Sequence, residues 1–191
     1  MERRVDQAGP NTRYIEQVHR QIGDALIGGA RSDYELGRLI DEVIVGHYWS
    51  RRDYPGAPEG GWPDSTAGFK EWCWTILGFK HRKAYYLRNI YLGLTAMNLN
   101  EKGLTFARAL RQGWCKVVLI LREARTKERL IYWLERCENW WCPECGKVGS
   151  EGECDCGAVM SRPLTENALK AEIAMALGGD DGDEDGDTGD G

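Results

Sequence analysis

Residues 72–91 read WCWTILGFKHRKAYYLRNIY, and the fold turns on how this stretch is parsed. The spacing predicts a helix over roughly 66–76, opened by Asp64 or Ser65 as cap. A turn at Leu77-Gly78-Phe79 follows, then a second helix over roughly 80–93 with Ala84, Leu87, Ile90 and Tyr91 inward. Glycine suits the turn because one residue there often needs a positive φ. Lys80, His81, Arg82, Lys83 and Arg88 then gather at the start of the second helix. Helix, glycine turn and basic second helix together fit helix-turn-helix geometry, in which such residues face the major groove or the phosphates of DNA. The plain alternative is a solvated basic face on an ordinary helical hairpin.

Working outward, residues 46–64 (GHYWSRRDYPGAPEGGWPD) have no period and are rich in glycine and proline, which predicts a long loop. Before it, Ser32 with Glu35 three residues on predicts a capping box and a helix whose inner face is Tyr34, Leu36, Leu39, Ile40, Val43 and Ile44. Thr12 caps an earlier helix carrying Tyr14, Ile15, Val18, Ile22, Ala25 and Leu26, ended by Gly28 and Gly29. After the break at Asn98–Gly103, helices are expected near 105–111, 114–124 and 127–138, the last capped by Thr126. Val117, Leu119, Ile120, Leu130, Ile131, Trp133 and Leu134 are their core candidates. The predicted fold class is all-α. A flexible arm (1–12) precedes a helical body (13–138) with a helix-turn-helix-like segment at 66–93. A small metal module (139–161), a C-terminal helix (162–177) and a disordered acidic tail (178–191) complete the chain.

The segment 140–160 (WWCPECGKVGSEGECDCGAVM) differs in character from everything before it. Four of the seven cysteines lie here, within fifteen residues. Cys142-Pro-Glu-Cys145 is a short knuckle, and after eight residues Cys154-Asp-Cys156 offers a second pair. Zn²⁺ takes four ligands in a tetrahedron and accepts soft thiolates readily. Gly146, Gly149 and Gly152 let the chain double back between the pairs. The alternative, four buried free thiols, fits poorly because the segment has too few apolar residues to bury them. Metal binding in such peptides is worth about 10–16 kcal/mol, the size of term a coreless segment needs. Four protein ligands leave no open position, which points to a structural zinc site. Cys137 is a reserve ligand, and Trp140 and Trp141 pack the module onto the helices or face a partner.

Charge is uneven. The whole chain is −5, yet the last fourteen residues hold seven acids and no base, so the rest is near +2. Phe79–Arg136 holds thirteen Lys or Arg against four Glu, a net of +9. A basic middle and an acidic end point to an anionic partner such as DNA, with the tail as solubility aid or as competitor for the basic face. The odd cysteine count and the apolar-poor start MERRVDQAGPNTRY argue against a disulfide framework and point to the cytoplasm. The longest apolar run, Val117–Leu121, is too short to span a bilayer. A zinc deaminase needs His-x-Glu, whereas His19, His47 and His81 are followed two residues on by Gln21, Trp49 and Lys83. With no triad, phosphate loop or histidine cluster either, the expectation is a protein that is not an enzyme.

Further residues carry a resemblance. Leu36-Gly37 with Leu39-Ile40, Phe69-Lys-Glu-Trp72 and Leu77-Gly78-Phe79-Lys-His-Arg-Lys-Ala84-Tyr85 resemble a domain of phage- and plasmid-borne proteins. Gly113-Trp114-Cys-Lys116 and Tyr132-Trp133-Leu134-Glu135 are similar to its downstream helices, so the match spans about residues 30–137. His81 stands where that domain usually has a capping serine or threonine, and the 46–64 loop is longer. The resemblance implies helix-turn-helix DNA binding by an accessory or regulatory protein. The second expectation is a protein-binding adaptor or inhibitor of a host nucleic-acid machine, acting through the zinc module, the C-terminal helix and a tail that imitates DNA charge.

Overall fold

A computed structural model describes residues 12–27, 30–99 and 103–178, and helix dominates among them. The expected arm (1–12) and acidic tail (178–191) lie outside the described residues except at Thr12, which begins the first helix, and at Gly178. The chain divides into two compact units, Met1–Lys102 and Gly103–Gly191.

The first unit contains α1 (Thr12–Ile27), α2 (Ala30–Val45), α3 (Thr66–Trp72) and α4 (His81–Ala96). α2 packs on α1 along one side and on α4 along the other. Ile15, Val18 and Ile22 of α1 and Leu39, Ile40 and Val43 of α2 are buried, as are Ala84, Leu87, Ile90 and Leu94 of α4. Each of these valine, leucine and isoleucine side chains contributes about 1.5–3 kcal/mol by leaving water. Gly37 sets the α2–α4 crossing: a Cβ there would sit 2.2 Å from the Leu87 carbonyl oxygen. Tyr14 and Leu26, expected inside, are exposed at the edge of the α1 face, while Ala25 and Ile44 are half-buried.

Two departures from the sequence reading have clear causes. α2 begins at Ala30, two residues before the expected cap at Ser32. Glu35, the other half of the proposed box, instead accepts hydrogen bonds from the Arg38 guanidinium, 2.9 Å from Nε. α3 ends at Trp72 and continues as a π-helical turn, Cys73–Leu77, which brings both Cys73 and Leu77 into the core. Gly78 then ends the helix in the left-handed conformation, φ 73°. The expected Ser65 cap is present, its hydroxyl accepting from the Gly68 N–H at 3.3 Å.

The 46–64 loop is aperiodic, as expected, apart from a single 3₁₀ turn at Tyr48–Ser50. Its aromatic residues fix it: Trp49, Tyr54 and Trp62 are all buried. Tyr54 meets Trp72 edge-on and Trp49 meets Phe69, so the loop is pinned to α3 by ring contacts.

The second unit contains α5 (Leu104–Arg111), α6 (Gly113–Glu123), α7 (Lys127–Glu138) and α8 (Glu166–Ala176). Between α7 and α8 lies a two-stranded antiparallel sheet, β1 (Trp140–Trp141) with β2 (Val148–Gly149). Thr126 and Thr165 cap α7 and α8, each hydroxyl accepting a backbone N–H three residues on. Val117, Ile120, Leu130, Trp133, Leu134, Leu169 and Ile173 form the core. Leu119 and Ile131 are half-buried, and Ala176 and Leu177 are exposed where α8 ends. No described helix is long and apolar enough to cross a membrane.

Candidate metal centre

The four cysteines read from the sequence come together. The Sγ atoms of Cys142, Cys145, Cys154 and Cys156 all lie within 4.8 Å of one another. Cys142 and Cys156 are 3.4 Å apart, and Cys145 and Cys154 are 3.5 Å apart. A tetrahedral ion with metal–sulfur bonds of about 2.3 Å requires sulfur–sulfur edges of about 3.8 Å. The cluster is therefore the right size for one such ion.

Backbone turns build this geometry. In the first knuckle Gly146 N–H donates to Cys142 O at 3.0 Å, and Cys142 N–H donates to Lys147 O at 2.8 Å. Cys145 N–H points at the Cys142 sulfur, 3.5 Å away. In the second, Gly157 N–H donates to Cys154 O and Cys154 N–H to Ala158 O, both at 2.8 Å. Gly146 and Gly157 both have positive φ, which is why each knuckle ends in glycine. A bridge pairing Trp141 with Ser161 closes the module next to α7.

The electrostatics also favour a cation. The Cys145 N–H bond pulls the Cys142 thiol down to about 6. Cys156 gains an N–H bond from Ala158 that lowers it, but its crowding against Cys142 and Cys154 prevails and lifts it to about 12. Four sulfurs this close cannot all ionise unless something positive sits among them. Cys142 is buried, Cys154 partly so, and Cys145 and Cys156 face solvent. Cys137, the reserve ligand, lies outside this cluster on α7, and burial raises its thiol pKa.

A brace that the sequence reading missed joins the module to the helices. Arg136 is 4% exposed, although it counts among the basic residues of the middle stretch. Its guanidinium lies 3.4 Å over the ring of Trp141, the neighbour of Cys142, and its Nη2 donates to Glu172 of α8 at 2.5 Å. Its carbonyl accepts from Leu164 N–H, and Lys116 Nζ donates to Leu164 O at 2.9 Å. Only the position of Arg136 beside Cys137, flanking the apolar face of α7, hinted at this.

The proposed DNA-contacting residues sort into two groups. Lys80 is exposed and precedes α4 without making a side-chain cap. Arg82 is exposed, and Lys83 lies 4.8 Å over the Phe79 ring. His81 is held below its ordinary pKa, first by partial burial and then by the positive charges of Lys70, Arg82 and Lys80. Arg88 stands apart, donating from Nε to Asp41 of α2 at 2.7 Å. Tyr85 packs on Phe69 and Tyr91 on Tyr34, so both rings serve the core at least in part. Compared with protein-family models, with curated proteins and with solved structures, the chain shows no match.

Proposed function

We propose that this protein is a nucleic-acid-binding accessory protein, of the kind carried by phages or mobile elements, with a structural zinc site. In this reading Zn²⁺ is held by Cys142, Cys145, Cys154 and Cys156 and supplies cross-linking, not chemistry, since four thiolates leave no coordination position open. Arg136 and Trp141 transmit that rigidity to α7 and α8. DNA is met at the start of α4 by Lys80, Arg82 and Lys83, with Lys70 of α3 beside them. The observation that carries the reading is that Lys70, Lys80 and Arg82 are all exposed around the start of α4, where their positive charges help hold the His81 pKa down. Like charges gathered around one exposed helix start raise the local potential and suit phosphate. Arg88 serves mainly to hold α4 on α2.

The test is duplex DNA binding by fluorescence anisotropy at two salt concentrations. Lys70→Ala with Lys80→Ala is expected to weaken binding about tenfold at low salt. Removing two phosphate contacts also flattens the slope of log K against log salt by about 1.8. Unchanged affinity and slope would place the contact face elsewhere.

A second reading, a protein-binding adaptor, is favoured by the exposure of Val148 and Val159 on the metal module and of Met175 on α8. Salt-insensitive binding to a protein, with no DNA binding, is its signature.

A further inference from the structure

A groove of about 410 Å³ runs between α6 and α8 in the second unit. Leu119, Ala171 and Ile173 contribute its apolar surface, and Arg122, Asn167 and Lys170 its polar surface. Among the described residues of this unit the two cations share with Arg111, Arg125 and Lys127 an exposed position without an ion pair, and they differ from the other three in lining a groove. Arg108 is paired with Glu138, Arg129 with Glu123, Arg136 with Glu172 and Lys147 with Asp155. Lys116 is spent on the Leu164 carbonyl. Among the described residues, no hydrogen bond or ion pair reaches Arg122 or Lys170. A groove lined by two unpaired cations calls for an anionic occupant.

We propose that the occupant is the chain's own acidic segment, residues 179–191. That segment, GDDGDEDGDTGDG, holds seven acids and no base. Reach favours it. α8 ends at Ala176, and Gly178, at φ 94°, closes the helix. Lys170 lies eight residues before Gly178, about 12 Å back along the helix at 1.5 Å per residue. An extended chain covers about 3.3 Å per residue, so four residues beyond Gly178 bring the acids at 181–184 level with Lys170. The rest of the segment is long enough to pass Asn167. Shape also favours it: Ala171 leaves room for close backbone approach, and glycines recur at 179, 182, 186 and 189. The individual ion pairs are exposed and screened by salt. Tethering compensates, because a segment attached a few residues away is present at an effective concentration in the millimolar range. Duplex DNA fits the same groove less well, since its apolar floor offers nothing to a phosphodiester backbone. The inference is independent of where DNA binds.

The test is zero-length carbodiimide coupling of the full chain at low salt, with the new amide bonds mapped by mass spectrometry. Lys170 is expected to couple to Asp or Glu of 180–190 about fivefold more than does Lys127, a solvent-exposed lysine in the same unit. Arg122→Glu, a surface change, is expected to cut that coupling several-fold with helicity unchanged by circular dichroism. Salt at about 0.5 M, where screening is strong, should do the same. Coupling that is indifferent to both Arg122→Glu and salt would reflect tethered proximity alone and overturn the docking. Coupling of Lys170 no better than that of Lys127 also overturns it. In a mixture of isotopically labelled and unlabelled chains, bonds must form within one chain. Bonds between chains would make the occupant a second copy and overturn the intramolecular contact.

Discussion

Arg136 shows how much one side chain decides in the second unit. It lies buried against Trp141, the residue next to Cys142 of the cysteine cluster, and pairs with a carboxylate on α8. Its sequence context placed it among thirteen basic residues suited to an anionic partner, and nothing in a charge count distinguishes a buried arginine from an exposed one. Arg88, Arg108 and Arg129 share this fate, each committed to a carboxylate. Truncating one partner of a buried pair leaves the other poorly solvated, which usually costs about 3–5 kcal/mol. Glu172 keeps some solvent, so Arg136→Ala is expected to lower stability by about 2–3 kcal/mol in urea unfolding. Arg136→Lys should recover only part of that, because an ammonium cannot lie flat on Trp141. A loss within about 0.5 kcal/mol for Arg136→Ala, the range of a surface substitution, would mean that the brace carries no load.

At the scale of elements, most helices were legible in the sequence because their caps and periods agree. Ser65 and Thr126 open helices as read, and the apolar face of α2 is buried nearly as expected. The cysteine module was legible too, because ligand spacing and glycine positions constrain it strongly. The π-helical turn at Cys73–Leu77 was not, since a pattern of 3.6 residues per turn contains no signal for an inserted residue. The 46–64 loop was read as lacking period, correctly, but its order comes from Trp49, Tyr54 and Trp62 meeting rings distant in sequence. Gly37 carried a signal of another kind. A glycine inside a helix costs about 1 kcal/mol relative to alanine, so its presence suggests a close approach. Gly37→Ala is expected to destabilise by about 1–3 kcal/mol despite its better helix propensity, because Leu87 must move. A stabilising Gly37→Ala in thermal or urea unfolding would contradict the crossing described for α2 and α4.

For the whole molecule, the division at Lys102 and Gly103 changes how the charge is understood. The stretch of net +9 from Phe79 to Arg136 is divided between the two units. In the first unit Lys80, Arg82 and Lys83 lie at the start of α4, with Lys80 and Arg82 exposed. In the second, Arg108, Arg129 and Arg136 are each paired with a carboxylate, and Arg122 faces a groove together with Lys170 of α8. The metal module groups with α5–α8, so its loss should reach α8 through Trp141, Arg136 and Glu172. The structural role proposed for the cysteine module rests on the four sulfurs holding an ion. The most direct measurement is metal content per chain by plasma mass spectrometry, on the parent protein and on Cys137→Ser, Cys142→Ser and Cys156→Ser. The account predicts one zinc per chain in the parent and in Cys137→Ser, and its loss in Cys142→Ser and Cys156→Ser. A metal-free parent, or zinc that survives Cys156→Ser but departs with Cys137→Ser, would contradict it.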